Sequence, residues 1–316
     1  MNPVVKPSAP GLRGLFERAL AAGGHWAGDT LALPASLGSG FMKLIAPTPG
    51  LRLTIHHYSL TEEVVVERVA DDTEPETLLF WFYSFGATPP AAARHLSTAQ
   101  MASTNIGFAS TLPAQTPIFM VALSIEKALL AAWLGGTRGV PFTLLADRHP
   151  VLLETLLTPE IQTVLLDVTA PRPAHPLDNF YYQLKIQELL YWLFRELAQR
   201  AAGPARPLHP ADAERIFQVR AALLASLSEP PRLPELAQAA GLSETKLKQL
   251  FHQVFGSSPY AYFQAARMAE AKRLLPSRSV SEVGYQLGFT NLGHFAQLFE
   301  KHHGLTPKKY QAAHRG

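Results

Sequence analysis

GLSETKLKQLFHQVFGSSPYAY, residues 241 to 262, and GFTNLGHFAQLFEKHHGLTPKKY, residues 288 to 310, are one pattern written twice. Align the leading glycines and allow one extra residue in the second turn. Leu247 then matches Phe295, Phe251 matches Phe299, Gly256 matches Gly304, Pro259 matches Pro307 and Tyr262 matches Tyr310. An internal repeat sets the architecture of the region that holds it. Each copy opens on a short apolar segment that reads as a helix, LPELAQAAG (233–241) or VSEVGYQLG (280–288). Gly241 or Gly288 then supplies a tight turn, where a positive φ costs glycine little. Ser243 in the first copy, and Thr290 or Asn291 in the second, can cap the next helix by accepting from its unpaired amides. That second helix carries apolar residues four apart, so one stripe faces inward and the other face stays polar. Gly256 and Gly304 close it, and the prolines that follow forbid continuation. Helix, glycine turn and capped helix make a helix-turn-helix, whose second helix enters a DNA major groove. One such hairpin is common. Two in tandem, joined by a helix from Pro259 to Leu275, form a specific pattern.

The region from about Leu233 to Gln311 resembles the DNA-binding domain of the AraC/XylS family of transcriptional regulators. The motifs that carry the likeness are LAQAAGLSETKLKQLF, SPYAYFQAARMAEAKRLL and VSEVGYQLGFTNLGHFAQLFEKHHGLTPKKY. The family's pattern around the second copy is met by Gly288, Phe289, Phe295, Phe299, Gly304, Thr306, Pro307 and Tyr310. Three positions depart from it. Gly284 stands where the family usually has Ala, which is expected to loosen that helix by roughly 1 kcal/mol. His303 replaces an aromatic, and Gln311 replaces an Arg. None touches the face expected to meet DNA.

At 316 residues the chain has room for two domains, and 47% apolar residues allow sizeable cores. The absence of cysteine excludes disulfides, thiolate zinc sites and cysteine nucleophiles, and fits a reducing cytoplasm. It also excludes the acceptor-cysteine role of DNA-repair proteins that share this module. MNPVVKPSAP lacks the basic-then-apolar run of a signal peptide. No run of about 18 uncharged apolar residues spans a membrane. The net charge of +3 divides unevenly: residues 210 to 316 carry 13 Lys/Arg against 8 Asp/Glu, and residues 1 to 209 carry 15 against 17. The positive balance lies with the repeat, as contact with a polyanion requires, though a balance of this size is also found on ordinary surfaces.

Before the repeat the character differs. Residues 1 to 10 read as disordered, and GLRGLFERALAA (11–22) as a short helix. MKLIA, LRLTIHHYSL, EVVVERVA, TLLFWFYSF, NIGFAS and PIFMVAL are short runs rich in β-branched and aromatic residues. They point to an antiparallel sandwich or small barrel, with Leu51, Leu53, Ile55 and His57 on one face. The resemblance implies a cupin-like barrel here, a sensor half with a loose likeness to regulators of iron–siderophore uptake. SIEKALLAAWLG reads as a helix, PFTLLAD and TVLLDVT as strands, and HPVLLETLLTPEI between them as a short helix. Asp178 to Arg200 reads as a long helix capped by Asp178. Its stripe of Tyr182, Ile186, Leu189, Leu193 and Leu197, widened by Leu190 and Phe194, suits burial on more than one side. Its own domain can supply both sides, or a second subunit one of them. AAGPARPLHP (201–210) reads as a linker, giving a sensor or dimerisation domain over 1–205 and a DNA-binding domain over 210–316.

The fold expected is therefore α+β: a β-rich N-terminal domain with helices, and an all-α C-terminal domain of two helix-turn-helix units joined by a linker helix. The resemblance places base readout on the exposed faces of the two second helices. In the first these are Glu244, Thr245, Lys248 and Gln249, where Lys suits guanine, Gln adenine and the Thr methyl thymine. In the second they are Leu292, Gly293, Ala296 and Gln297, with Thr290, Asn291 and His294 at the turn. Only Gln297 and His294 there can read a base edge, so the first helix is expected to discriminate and the second to position. For any one of these residues a plain solvated face is the competing reading. Arg267, on the joining helix, is expected to tie the halves together.

No catalytic residue, cofactor site or metal site is expected. The glycines of GGTRG (135–139) lack the Lys-Ser/Thr ending of a phosphate loop and read as a turn. His56 and His57 are adjacent, so on a strand they point to opposite faces, and no cupin-type His-x-His pattern occurs. His302 and His303 read as surface or packing residues. The function expected is a cytoplasmic transcriptional regulator, an activator answering a small-molecule effector, with promoter DNA, RNA polymerase and a second copy of the chain as partners. The alternatives are an effector-independent regulator and a β-barrel enzyme targeted by its DNA-binding domain.

Overall fold

The computed structural model describes residues 13–68, 77–85, 97–104, 106, 108–135, 151–170, 172–199 and 208–314. PFTLLAD and residues 1 to 10 lie outside these, as does most of the expected linker. The chain divides into two units, Met1–Glu214 and Arg215–Gly316.

The N-terminal unit is built on antiparallel strands, as the alternating runs require. A helix α1 (Arg13–Ala21) precedes strands β1 (Trp26–Ala27), β2 (Thr30–Ala32), β3 (Gly38–Thr48), β4 (Leu51–Leu60) and β5 (Val64–Arg68). Then come β6 (Thr77–Phe85), β7 (Thr98–Ser103), β8 (Phe108–Leu112), β9 (Ile118–Glu126), helix α2 (Lys127–Leu134) and β10 (Leu152–Leu156). Helices α3 (Pro159–Thr169) and α4 (Asp178–Ala198) follow. Eight strands pair in the order β1-β2-β3-β4-β9-β6-β7-β10, each neighbour antiparallel, and β5 pairs with β8 in a separate ribbon. One face of the sheet presents Leu53, Ile55, Phe80, Phe82, Val121 and Leu123 to α3 and α4. Phe80 meets Phe194 edge-on, ring centres 6.2 Å apart. The expected α4 stripe is buried along its length, widened by Leu190 and Phe194. Each such side chain contributes about 1.5–3 kcal/mol on leaving water.

Four expectations are corrected. The segment read as a helix carries strand β10, and the segment read as a strand, TVLLDVT, is the body of helix α3. Thr158 caps α3, accepting from the Ile161 amide at 3.4 Å, and Pro159 opens it with a preset φ. Ile161, Val164, Leu165 and Val168 are then buried at helical spacing, while β10 is held by its ladder to β7. Asp178 does not cap α4: Leu177 holds the cap position. The Asp178 carboxylate instead accepts from the His175 amide at 2.9 Å and pairs with Arg172 at 3.0 Å. On β4, Leu51, Leu53 and Ile55 are buried and His57 is exposed, but the reverse face, with Thr54, His56 and Tyr58, is buried as well. Alternation in an apolar strand does not show that its second face is wet.

Helix α5 (Pro210–Ala225) begins just before the division at Arg215, and the C-terminal unit is helical from there onward. Helices α6 (Leu233–Ala239) and α7 (Glu244–Phe255) form the first copy of the repeat. Helix α8 (Pro259–Leu274) joins it to the second, α9 (Val280–Gln286) and α10 (Leu292–His303), and α11 (Pro307–His314) closes the unit. Phe251, Phe263, Phe295 and Phe299 are entirely out of water at its core.

Candidate nucleic-acid interface

In the first copy, Gly241 turns the chain at φ 63° and Ser243 accepts from the Lys246 amide at 3.3 Å, starting α7. Leu247, Leu250, Phe251, Val254 and Phe255 bury one side of that helix. Glu244, Thr245, Lys248 and Gln249 are all exposed on the other. Lys248 Nζ lies 3.9 Å from Glu244 Oε2, a loose pair one turn apart that leaves the ammonium accessible.

In the second copy, a reciprocal pair of hydrogen bonds between Ser279 and Glu282 starts α9. Gly288 turns at φ 75°, and Asn291, not Thr290, caps α10 by accepting from the His294 amide at 3.0 Å. Phe295 and Phe299 are fully buried. Thr290, Asn291, Gly293, His294 and Gln297 are exposed, while Ala296 is half-buried.

Leu292 departs from its expected place on the reading face. It is half-buried, and its Cδ2 would lie 2.5 Å from a Cβ added at Gly284. Gly284 itself is buried, and the Phe295 ring stands 3.3 Å from the same point. A side chain there would meet the flexible end of Leu292 and the Phe295 ring, so α10 passes close to α9 at this glycine, a packing role that stands beside the propensity cost.

Arg267 ties the copies together as its position suggests. It is 4% exposed, donates to the Leu287 carbonyl at the end of α9, and stacks 3.7 Å over Phe289. Burial pulls its pKa below the ordinary arginine value. The two other departures are absorbed into packing. The His303 ring donates to the Met268 carbonyl at 3.0 Å and lies over Phe299, and Gln311 donates to the carbonyls of Leu275 and Arg278. Sequence reasoning passed over exposed Arg278, Lys301, Lys308 and Lys309, which give the second copy cations away from the first turns of its second helix. The charge surplus of the region was their only signal.

Elsewhere the sequence expectations meet little. His56 is fully buried and His57 exposed, on opposite faces as adjacent strand residues must be. Gly135 caps α2 in a left-handed turn at φ 57°, and Gly136 and Gly139 lie outside the described residues. Among the described residues no three His, Asp or Glu side chains gather, and no helix is long and apolar enough to cross a membrane.

Residues 236–313 match a family described as a helix-turn-helix domain. Regulatory protein PchR of Pseudomonas aeruginosa is 39% identical over 83 residues, which are 25% of this chain and 28% of that protein. The transcriptional regulator ArgR of the same species is 26% identical over 132 residues, 41% of this chain and 40% of the relative. The transcriptional activator RhaR of Klebsiella pneumoniae is 32% identical over 97 residues, 30% of this chain and 34% of the relative. The chain thus spans less than half the length of these relatives. Among solved structures, the DNA-binding domain of AdpA in complex with a target DNA is 30% identical, covering 32% of this chain and 93% of that one at a TM-score of 0.30.

Proposed function

We propose that this chain, whose C-terminal unit is an AraC-type helix-turn-helix domain, is a sequence-specific DNA-binding transcriptional regulator. The observation that carries the reading is the pair of capped second helices, each with its apolar side buried and its other side in water. Glu244, Thr245, Lys248 and Gln249 on α7 offer donors, acceptors and a methyl group for base edges. His294 and Gln297 on α10 offer fewer, with Thr290 and Asn291 at the turn and Gly293 permitting close approach of backbone to phosphate. The first copy then discriminates sequence and the second positions the domain, with Arg278, Lys301, Lys308 and Lys309 supplying phosphate contacts. Leu292 acts through packing.

The N-terminal unit is the sensing half. An effector bound there shifts the DNA-bound form, and the regulator activates transcription by contact with RNA polymerase in the cytoplasm. Homodimerisation through α4 is supported by its outer face, where Leu177 at the cap, Phe180, Leu184 and Tyr191 are exposed at helical spacing while the inner stripe is buried.

The test is selection of binding sites from random duplex DNA by the full chain, followed by titration at several salt concentrations. A single enriched sequence, bound more tightly than random DNA at every salt, is the expected result. Equal binding to selected and random DNA contradicts the proposal.

A further inference from the structure

The face of the N-terminal sheet turned away from α3 and α4 is buried, yet it is polar. Register places Thr54 opposite Ala122, Ala122 opposite Trp81, Trp81 opposite Gln100 and Gln100 opposite Glu154, so these lie in one row on one face. His56 and Tyr58 follow Thr54 along β4 on the same face. His56 and Glu154 are 0% exposed, Tyr58 2% and Gln100 5%. The Phe16 ring of α1 stands 5.9 Å from His56 and forms part of the cover.

The hydrogen bonds within this face leave three buried polar atoms over. Gln100 Nε2 donates to Glu154 Oε2 at 2.6 Å, and the Gln100 carbonyl oxygen has no partner. His56 Nε2 bonds Thr54 Oγ1 at 3.0 Å, and His56 Nδ1 has none. The Tyr58 hydroxyl has none. Buried polar groups are nearly always satisfied, so three left over on one face, two on β4 and one on β7, call for an occupant with matching polar groups.

We propose that this interior face binds a small organic molecule, uncharged or cationic, that carries several O–H or N–H donors. The Gln100 oxygen can only accept, so the occupant must donate to it. Tyr58 and His56 can each donate or accept, which hydroxyl and amine groups complement. Burial lowers the His56 pKa to about 3, so the ring stays neutral and brings no positive charge. The Glu154 carboxylate, out of water on the same face, opposes an anion. Arg52, at the start of β4 on this face, is half-buried and has interactions of its own. Trp81 contributes a flat apolar wall suited to a carbon skeleton.

The inference deepens the sensing role proposed above, and its test reads binding without DNA, so failure of either reading is told apart from failure of the other. Full-length chain is titrated with myo-inositol, with putrescine and with succinate, by calorimetry and by thermal unfolding. Small molecules released from the purified chain on denaturation are identified by mass spectrometry. Tyr58→Phe removes one unpartnered group with little change of volume and is expected to stay folded; Gln100→Leu removes another but also the donor to buried Glu154, so it is made as Gln100→Leu/Glu154→Leu. Binding of the polyol or the diamine, or release of a donor-bearing compound, weakened about tenfold in each variant, is the expected result. The arm that responds identifies the source of the donors. Binding of succinate alone, or binding that both variants leave unchanged, overturns the proposal, as does an absence of both probe binding and released compound, which shows that only water meets these groups.

Discussion

The two helix-turn-helix copies share a plan and differ in what their matching positions are used for. Ala237 of the first copy corresponds to Gly284 of the second, and Glu244 to Leu292. The first copy places a small side chain in the core and a charged one in water. The second removes the methyl and fills the space with leucine, 2.5 Å from where that methyl would be. A position that faces water in one copy serves packing in the other. The turns differ likewise. Nothing lies within 4 Å of a Cβ added at Gly241, whereas one at Gly288 would lie 1.7 Å from the Ser228 carbonyl oxygen. Gly241 answers to its dihedral alone; Gly288 answers to its dihedral and to a neighbouring backbone. The first copy is free to vary at its surface, and the second is built into the unit.

The largest way to break this contrast is at the turns. Gly288→Ala combines a left-handed backbone with a clash against immobile backbone, and is expected to cost about 3 kcal/mol or more. Gly241→Ala carries only the dihedral strain, about 1–2 kcal/mol. Urea unfolding followed by circular dichroism measures both, and equal losses would remove the asymmetry. Next is the packing exchange. Gly284→Ala is expected to destabilise by about 1 kcal/mol, because the buried Phe295 ring must give by a few tenths of an ångström and Leu292 must turn away. In a Leu292→Glu background, which restores the first copy's pair, the same substitution is expected to be neutral or stabilising by up to about 1 kcal/mol. Loss of stability in both backgrounds would show that Leu292 is not the partner.

The smallest effect concerns acid. Burial lowers the His303 pKa, aided by Lys272 and His302 and opposed by the Met268 carbonyl. His302 is lowered too, by burial and then by Lys301. A histidine with a depressed folded pKa contributes stability that is present above the unfolded value of about 6.5 and is lost as pH falls below it. The second copy should therefore weaken on mild acidification, by an amount that solvent screening keeps small. His303→Phe, which keeps a ring over Phe299 and cannot take up a proton, is expected to flatten the pH dependence of the thermal midpoint between pH 7 and 5. An unchanged slope would place the titration elsewhere.

The repeat was legible because glycine turns, caps and four-residue apolar spacing are local and were written twice. The choice of Asn291 over Thr290 was not, since either side chain can reach a free amide and only the path of the chain decides. At Gly284, propensity counts the cost of a glycine within its own helix and is blind to Leu292 on the next one. Thr158-Pro159 carried the start of α3 in plain sight, but the apolar run after it fits a strand as well as a buried helix. The polar second face of the sheet was hidden for the same reason: His56 and Tyr58 alternate with apolar residues in the manner of solvent-facing ones. Only the pairing of β4, β9, β6, β7 and β10 shows that their face also carries Gln100 and Glu154.

The central claim is that the first copy reads sequence and the second holds position. Fluorescence anisotropy with a selected site and with random DNA tests it in two variants, Lys248→Ala/Gln249→Ala and His294→Ala/Gln297→Ala. The first is expected to lose about 1–3 kcal/mol per side chain on the selected site and much less on random DNA, so that its specificity ratio collapses. The second is expected to weaken both affinities by similar, smaller amounts and to keep the ratio. A ratio that survives the first pair of substitutions and collapses with the second would contradict the account.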